Sequence, residues 1–240
     1  MTDGADQPAV VALIVAGGTG ERFGREDGKQ LAEAGCVPVL GHTVRAFDRA
    51  GSVDAIIVVA HPEQLDEYRA VAGQHVEATR LIGVVPGGDT RQDSVRHGLA
   101  AVPASARTII VHDGARPLVA PEVIDSAVTL LESSPDSDGV VVGHPAFDTL
   151  KIVDGNRVVA TPDRGEYWVA QTPQVFRAAA LRSAYSSALE EGLEGTDDAS
   201  LVEAVGGRVV MLEGSRDNLK VTVAEDLAVI EALLANREGE

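Results

Sequence analysis

The segment Ala16-Gly17-Gly18-Thr19-Gly20-Glu21-Arg22-Phe23-Gly24, followed by Gly28-Lys29-Gln30, brings glycines and two cations into one short stretch. Glycine lets backbone N–H groups approach an anion closely and tolerates the positive φ of an amide nest. Arg22 and Lys29 add a guanidinium fork and an ammonium point charge, both protonated at neutral pH. Two familiar phosphate loops do not fit. A dinucleotide-binding fingerprint needs Gly-x-Gly-x-x-Gly, whereas Gly18 and Gly20 meet their third glycine only at Gly24, one residue late. A Walker A loop fails as well: the spacer between Gly24 and Gly28 is one residue short, and Gln30 stands where the metal-binding hydroxyl belongs. What is left is a candidate phosphate cradle, set against an ordinary strand-to-helix turn with solvated basic side chains.

Further along, several polar segments interrupt apolar runs. They are Gly87-Gly88-Asp89-Thr90-Arg91-Gln92-Asp93-Ser94-Val95, Val111-His112-Asp113-Gly114-Ala115-Arg116-Pro117, Gln171-Thr172-Pro173-Gln174-Val175-Phe176, Thr196-Asp197-Asp198-Ala199-Ser200 and Asp217-Asn218-Leu219-Lys220-Val221-Thr222. Singly, each has a plain structural reading. Asp89 suits a helix N-cap, Asp113 and Arg116 a salt bridge at a strand end, and Thr196-Asp197-Asp198 another helix cap, with ligand contact as its alternative. Lys220 reads as a surface residue, and Arg164 as the exposed tip of a hairpin leg. The opening A-G-G-x-G-x-R resembles that of nucleotidyltransferases that activate a phosphate or sugar phosphate with a nucleoside triphosphate. With the other segments in order, the chain from about residue 10 to 227 resembles the 2-C-methyl-D-erythritol 4-phosphate cytidylyltransferase family.

The resemblance implies a fold, a reaction and a set of residues. The fold is a largely parallel α/β sheet with a protruding β-arm, and the reaction moves CMP from CTP to a sugar-alcohol phosphate. Ala16, Gly17, Gly18 and Gly20 belong to the nucleotide site. Gly88, Asp89 and Ser94 would meet the cytosine base. Asp113 and Arg116 would hold the acceptor phosphate, with Asp113 also close to a Mg²⁺ that the CTP phosphates mainly carry. Arg22, Lys29, Arg164 and Lys220 form the catalytic cation set, and Thr149 and Thr172 would donate hydroxyls to the acceptor. Arms of two subunits would embrace in a homodimer, carrying Arg164 into the neighbour's site. The chain departs from the family pattern at Gly28, where the family usually has proline, and at Gly17, where its opening is often Ala-Ala-Gly. The neighbouring readings are a ribitol 5-phosphate cytidylyltransferase, a sugar-1-phosphate nucleotidyltransferase, which the HDGARP and DDAS segments fit poorly, and a nucleotide-binding module without catalysis. Such a module would have no need of all six of Arg22, Lys29, Asp113, Arg116, Arg164 and Lys220.

The elements that must position these residues are legible in the hydrophobic pattern. Short apolar, β-branched runs at 10–16, 54–60, 81–85, 108–111 and 139–142 alternate with helical periodicity at 42–50, 62–72, 92–101 and 121–131. Strands apolar on both faces and alternating with helices predict a largely parallel sheet with helices on both sides. In such sheets ligands bind beyond the carboxyl ends of the strands, where the glycine turn and Asp113 fall. Residues 149–164 alternate instead around Asp154-Gly155-Asn156, a hairpin signal, and predict an inserted arm near 147–171 within a single 240-residue domain. Helices are expected again at 177–190, 197–204 and 224–235, with a strand at 208–212.

Composition closes off other classes. Hydrophobic residues make up 45% of the 240, which is ample for a core, and the single cysteine, Cys36, excludes an internal disulfide framework. No apolar run nears the roughly 20 residues of a membrane span, and the first residues lack a signal-peptide pattern, so a cytoplasmic, membrane-free protein is expected. A formal charge of −17 opposes sequence-independent nucleic-acid binding. The six histidines lack metal-ligand spacing, and neither they nor Cys36 is given a chemical role.

Overall fold

The computed structural model describes residues 7–18 and 29–238. Its centre is a seven-stranded sheet built from β1 (Val10–Val15), β4 (Ala55–Ala60), β5 (Leu81–Pro86), β6 (Thr108–Asp113), β7 (Gly139–Pro145), β10 (Trp168–Arg177) and β11 (Val209–Glu213). The order across the sheet is β11-β7-β10-β6-β1-β4-β5. Strand β10 runs antiparallel to β6 and β7, and the other pairings are parallel. Two small ribbons lie outside: β2 (Glu33–Ala34) with β3 (Val37–Pro38), and β8 (Ile152–Asp154) with β9 (Arg157–Ala160).

Seven α-helices are described: α1 (Val39–Arg49), α2 (Leu65–His75), α3 (Arg91–Ala101), α4 (Pro121–Ser133), α5 (Ala178–Glu191), α6 (Asp198–Ala204) and α7 (Asp226–Glu238). Side-chain alternation along β1 shows how they cover the sheet. Val10, Ala12 and Ile14 enter one core with Phe47, Ile56 and Ile124, while Val11, Leu13 and Val15 enter the opposite core with Ile57, Phe176 and Leu181. The first core lies under α1, α2 and α4, the second under α3, α5 and α6. Each fully buried Leu, Ile or Phe contributes roughly 1.5–3 kcal/mol on transfer from water. A third, smaller cluster joins Ala32, Val39, Ala115, Leu118 and Val221 to Ile230 of α7. It ties the segment after the glycine loop to the stretch that carries Lys220. No helix among the described residues is long and apolar enough to cross a membrane.

The structure differs from the sequence reading at three places. Strand β10 was not expected; its middle, Gln171 to Gln174, is polar and breaks the apolar run that marks a buried strand. Those residues are buried and hydrogen-bonded, and the register with β7 shifts between Ala170 and Gln174. Because β10 starts at Trp168, residues 168–171 of the expected insertion belong to the central sheet. Helix α3 is capped by Thr90, whose hydroxyl accepts from the Asp93 N–H at 3.0 Å, and not by Asp89. The hairpin does form, with Gly155 at φ +59°, and it leaves Val153 and Val159 more than half exposed, at 56% and 63%.

Candidate active site

The carboxyl ends of β1, β4, β5 and β6 open into a cavity of about 580 Å³. Gly17 and Gly18 border it at the end of β1, and Gly87, Gly88, Asp89 and Ser94 border it between β5 and α3. Lys29, Gln30, Arg91, Asp113 and Lys220 complete the charged and polar wall, with His61, Pro62 and Glu63 at the end of β4. Two of the glycines are sterically required. A Cβ on Gly17 would stand 2.9 Å from the Ala60 carbonyl oxygen, and one on Gly88 would stand 2.4 Å from Asp93 Cβ. Ser94 is buried; its hydroxyl accepts from the Gly88 N–H at 3.1 Å and so pins the turn.

Asp113, the last residue of β6, is the electrostatic centre. Its Oδ2 lies 2.9 Å from Lys220 Nζ and 3.5 Å from Arg116 Nε, and its Oδ1 lies 3.1 Å from Arg91 Nε. Burial by itself would raise the Asp113 pKa, but Arg91, Lys220 and Arg116 outweigh it and hold the carboxyl far below the usual range. Burial pulls the Arg116 pKa down against the pull of Asp113. Lys220 reaches Asp113 because its segment is fastened to the sheet. The buried Asn218 side-chain amide donates to the Gln171 side chain and the Thr172 carbonyl, and the Asn218 backbone carbonyl accepts from Arg116 at 2.8 Å. Val221 N–H then donates to the Ala115 carbonyl.

Beneath Asp113 lies a neutral relay. The Asp113 N–H donates to the Thr172 hydroxyl at 3.0 Å, which is also 3.0 Å from His112 Nδ1. His112 Nε2 faces the Arg116 carbonyl at 3.2 Å, so the consistent tautomer carries its proton on Nε2 and accepts from Thr172 at Nδ1. Burial pushes the His112 pKa down to about 3. The unfolded chain takes up a proton here below about pH 6.5 and the folded chain does not. Stability therefore falls as pH drops from about 6.5 towards 3, with a slope of up to about 1.4 kcal/mol per pH unit for this proton. Urea titrations at pH 6 and pH 5 should show a drop in stability that His112→Gln reduces; an equal drop in the variant would contradict the assignment.

The structure brings Gly17, Gly18, Lys29, Gly88, Asp89, Ser94, Asp113 and Lys220 to one cavity, with Arg116 against Asp113. Gly20, Arg22 and Gly28 lie outside the described residues. Four expected contributors sit elsewhere. Ala16 spends its N–H on the Val59 carbonyl and its carbonyl on Tyr68, so its backbone serves the sheet and not a phosphate. Thr172 is buried beneath Asp113 with its hydroxyl engaged on both sides, because β10 runs under the site; its role here is to fix Asp113. Thr149 and Arg164 are exposed on the arm segment outside this cavity, with Arg164 donating to the Phe147 carbonyl. For Asp113 as a metal neighbour, both carboxylate oxygens are taken by cations, so a metal contact requires one of those pairs to open.

Sequence reasoning gave no role to Arg91 or Gln30, and read Asp198 only as part of a helix cap, with ligand contact as the alternative. Arg91 Nη2 donates to the wholly buried Asp198 at 2.7 Å, and Tyr185 OH donates to the other Asp198 oxygen at 2.5 Å. The signal was present in Arg91, a long cation inside a motif of short residues, and in the Asp197-Asp198 pair. Asp197 caps α6 with Ser200 in a capping box, as its plain reading held, which leaves Asp198 pointing inward. Among the described residues, Gln30 is buried at the cavity wall with its Oε1 unpartnered. Buried polar atoms are rarely left so, and a ligand hydrogen-bond donor in the cavity would satisfy it.

Comparison with known proteins agrees with this geometry. The family model for 2-C-methyl-D-erythritol 4-phosphate cytidylyltransferase matches residues 10–236. A relative of that name from Syntrophotalea carbinolica is 42% identical over 227 residues, covering 94% of this chain and 96% of its own. One from Rubrobacter xylanophilus is also 42% identical, over 95% and 96%. The crystal structure of the Anaerococcus prevotii 4-diphosphocytidyl-2C-methyl-D-erythritol synthase superposes with a TM-score of 0.83 at 27% identity, covering 94% of this chain and 96% of that one. The Thermus thermophilus cytidylyltransferase gives a TM-score of 0.72 at 32% identity, covering 94% and 98%. A cavity walled by glycine turns and by cations gathered on Asp113 therefore stands in a chain that belongs to the 2-C-methyl-D-erythritol 4-phosphate cytidylyltransferase family.

Proposed function

We propose that this chain transfers CMP from CTP to 2-C-methyl-D-erythritol 4-phosphate and releases pyrophosphate, a step of isoprenoid precursor synthesis, in the cytoplasm. The observation that carries the reading is the convergence of Arg91, Arg116 and Lys220 on Asp113, at the foot of the glycine-walled cavity. An acceptor phosphate oxygen attacks the α-phosphorus of CTP and pyrophosphate leaves in line. A phosphate monoester is already nucleophilic at neutral pH, so no strong general base is needed. The obstacle is repulsion between two polyanions together with charge growing on the α-phosphoryl oxygens, and positioned cations remove it. Lys29 acts on the triphosphate, as does Arg22 by the family resemblance; Lys220 and Arg116 act on the acceptor phosphate. The amides at Gly17 and Gly18 serve the phosphates, with Gly20 assigned to them by the resemblance alone, and the turn from Gly88 to Ser94 serves the base.

Among the described residues no cluster of three or more His, Cys, Asp or Glu side chains could hold a metal. With Asp113 already paired, the described residues offer no cage for Mg²⁺. A Mg²⁺ held mainly by the CTP phosphates and water, with Asp113 nearby, would supply charge neutralisation.

The sheet and its arm act together. An isolated two-stranded ribbon is marginal in water, and Ile152, Val153, Val158 and Val159 on β8 and β9 are each more than half exposed. Pairing of two arms in a homodimer covers them and brings Thr149 and Arg164 to the partner's cavity.

Base choice tests the cytidylyl assignment. Cytosine presents an amino donor where uracil presents a carbonyl acceptor, and an acceptor facing an acceptor is costly. CTP should be preferred to UTP by at least about tenfold in kcat/KM, equivalent to about 1.4 kcal/mol. Equal use of the two nucleotides would contradict the assignment.

A further inference from the structure

Arg91 and Asp198 are given no contact with substrate in the reaction above, yet Arg91 lines the cavity and its partner Asp198 has no exposed surface. The guanidinium spans two carboxylates, reaching Asp113 Oδ1 through Nε at 3.1 Å and Asp198 Oδ2 through Nη2 at 2.7 Å. Asp198 has no exposed surface and does not line the cavity, so it cannot touch a substrate. Its second oxygen accepts from Tyr185 OH at 2.5 Å, which fixes the carboxylate from α5. A bidentate guanidinium fork held at both ends is a rigid element; an ammonium could not span the two sites in the same way.

We propose that Asp198, through Arg91, is a positioning device for the acceptor-phosphate end of the site. With Oδ1 of Asp113 occupied by Arg91, the carboxylate plane is fixed and Oδ2 is turned towards Lys220 and Arg116. Charge arithmetic gives the same division of labour. Asp198 and Asp113 carry two negative charges, and Arg91, Arg116 and Lys220 carry three positive ones, so the cluster keeps a net charge of +1. Arg91 meets part of Asp113's demand for a counter-ion from behind, which leaves Lys220 and Arg116 able to turn to an incoming phosphate. Without Arg91, Asp113 draws wholly on those two cations. Without Asp198, Arg91 loses its anchor and swings between Asp113 and the cavity.

This inference rests on the proposed reaction, and its test is built so that the two fail separately. Asp198→Asn keeps the size of the side chain and removes its charge. Pyrophosphate release would be followed with the acceptor varied at saturating CTP, and CTP affinity would be measured by calorimetry. The expected result is a fall of at least about tenfold in kcat/KM for the acceptor, with CTP affinity within about twofold of the parent. Unchanged acceptor kinetics would overturn the proposal, and so would an equal loss of CTP affinity, which would make Arg91 a nucleotide contact. Inactivity of the parent protein would sink the reaction itself. A crystal structure of the variant gives a readout independent of activity: Arg91 Nε should leave its 3.1 Å contact with Asp113 Oδ1, and an unmoved guanidinium would count against positioning. Since Asp198 is wholly buried, Arg91→Lys runs beside it. It keeps the charge but loses the fork, and should show the same split between acceptor kinetics and CTP affinity; full activity in that variant would equally overturn the proposal.

Discussion

Lys29→Ala and Lys220→Ala should each lower kcat by roughly 10²–10³-fold, the scale of losing one preorganised charged donor at a transition state. In the proposed reaction Lys29 serves the triphosphate and Lys220, paired with Asp113, serves the acceptor, so their KM effects should separate. Lys29→Ala should raise KM for CTP, whereas Lys220→Ala should raise it for the acceptor. Steady-state kinetics with each substrate varied in turn checks both statements. Variants that keep parental kcat and change only KM would show uniform binding in place of transition-state stabilisation. Lys220→Ala leaves Asp113 paired with Arg91 and Arg116, so the fold should survive the change.

A mixture of two dead variants should recover activity. Arg164 is exposed on the arm segment outside the cavity of its own chain, whereas Lys220 lines that cavity. In a two-fold dimer with shared sites, a heterodimer of Arg164→Ala and Lys220→Ala subunits holds one intact site. It takes Lys220 from the first chain and Arg164 from the second. Random pairing at equal amounts makes half the dimers mixed, each with one working site of two, so recovery approaches about a quarter of parental activity. If both residues act within one chain, every site in the mixed dimer lacks one of them. A persistently inactive mixture, with heterodimers confirmed by native mass spectrometry, would exclude the shared site.

The parts of the molecule legible in the sequence are those governed by local pattern. The strands β1 and β4 are runs of Val, Ile, Leu and Ala apolar on both faces, β6 carries the apolar run Ile109–Val111, and the hairpin is announced by Asp154-Gly155. Strand β10 was missed because Gln171, Thr172 and Gln174 are polar where a buried strand is usually apolar. They are tolerated because Asn218, His112 and Asp197 satisfy them, and those partners come from other elements. Within the site, Asp113 and Lys220 could be singled out by motif, but their 2.9 Å pairing joins positions far apart in the chain. Ser94 and Thr172 look like free hydroxyls in sequence and prove to be engaged, one on Gly88 and one on Asp113 and His112. Arg91 escaped for the same reason: its meaning lies in Asp198, 107 residues away.

The central claim is the reaction, and pyrophosphate release tests it most directly. The purified protein would be given CTP and Mg²⁺ with 2-C-methyl-D-erythritol 4-phosphate, with ribitol 5-phosphate, or with no acceptor. The account predicts rapid stoichiometric release with the methylerythritol phosphate, at least about tenfold less in kcat/KM with the ribitol phosphate, and none without an acceptor. Release that is faster with ribitol 5-phosphate, or absent with both, would contradict it.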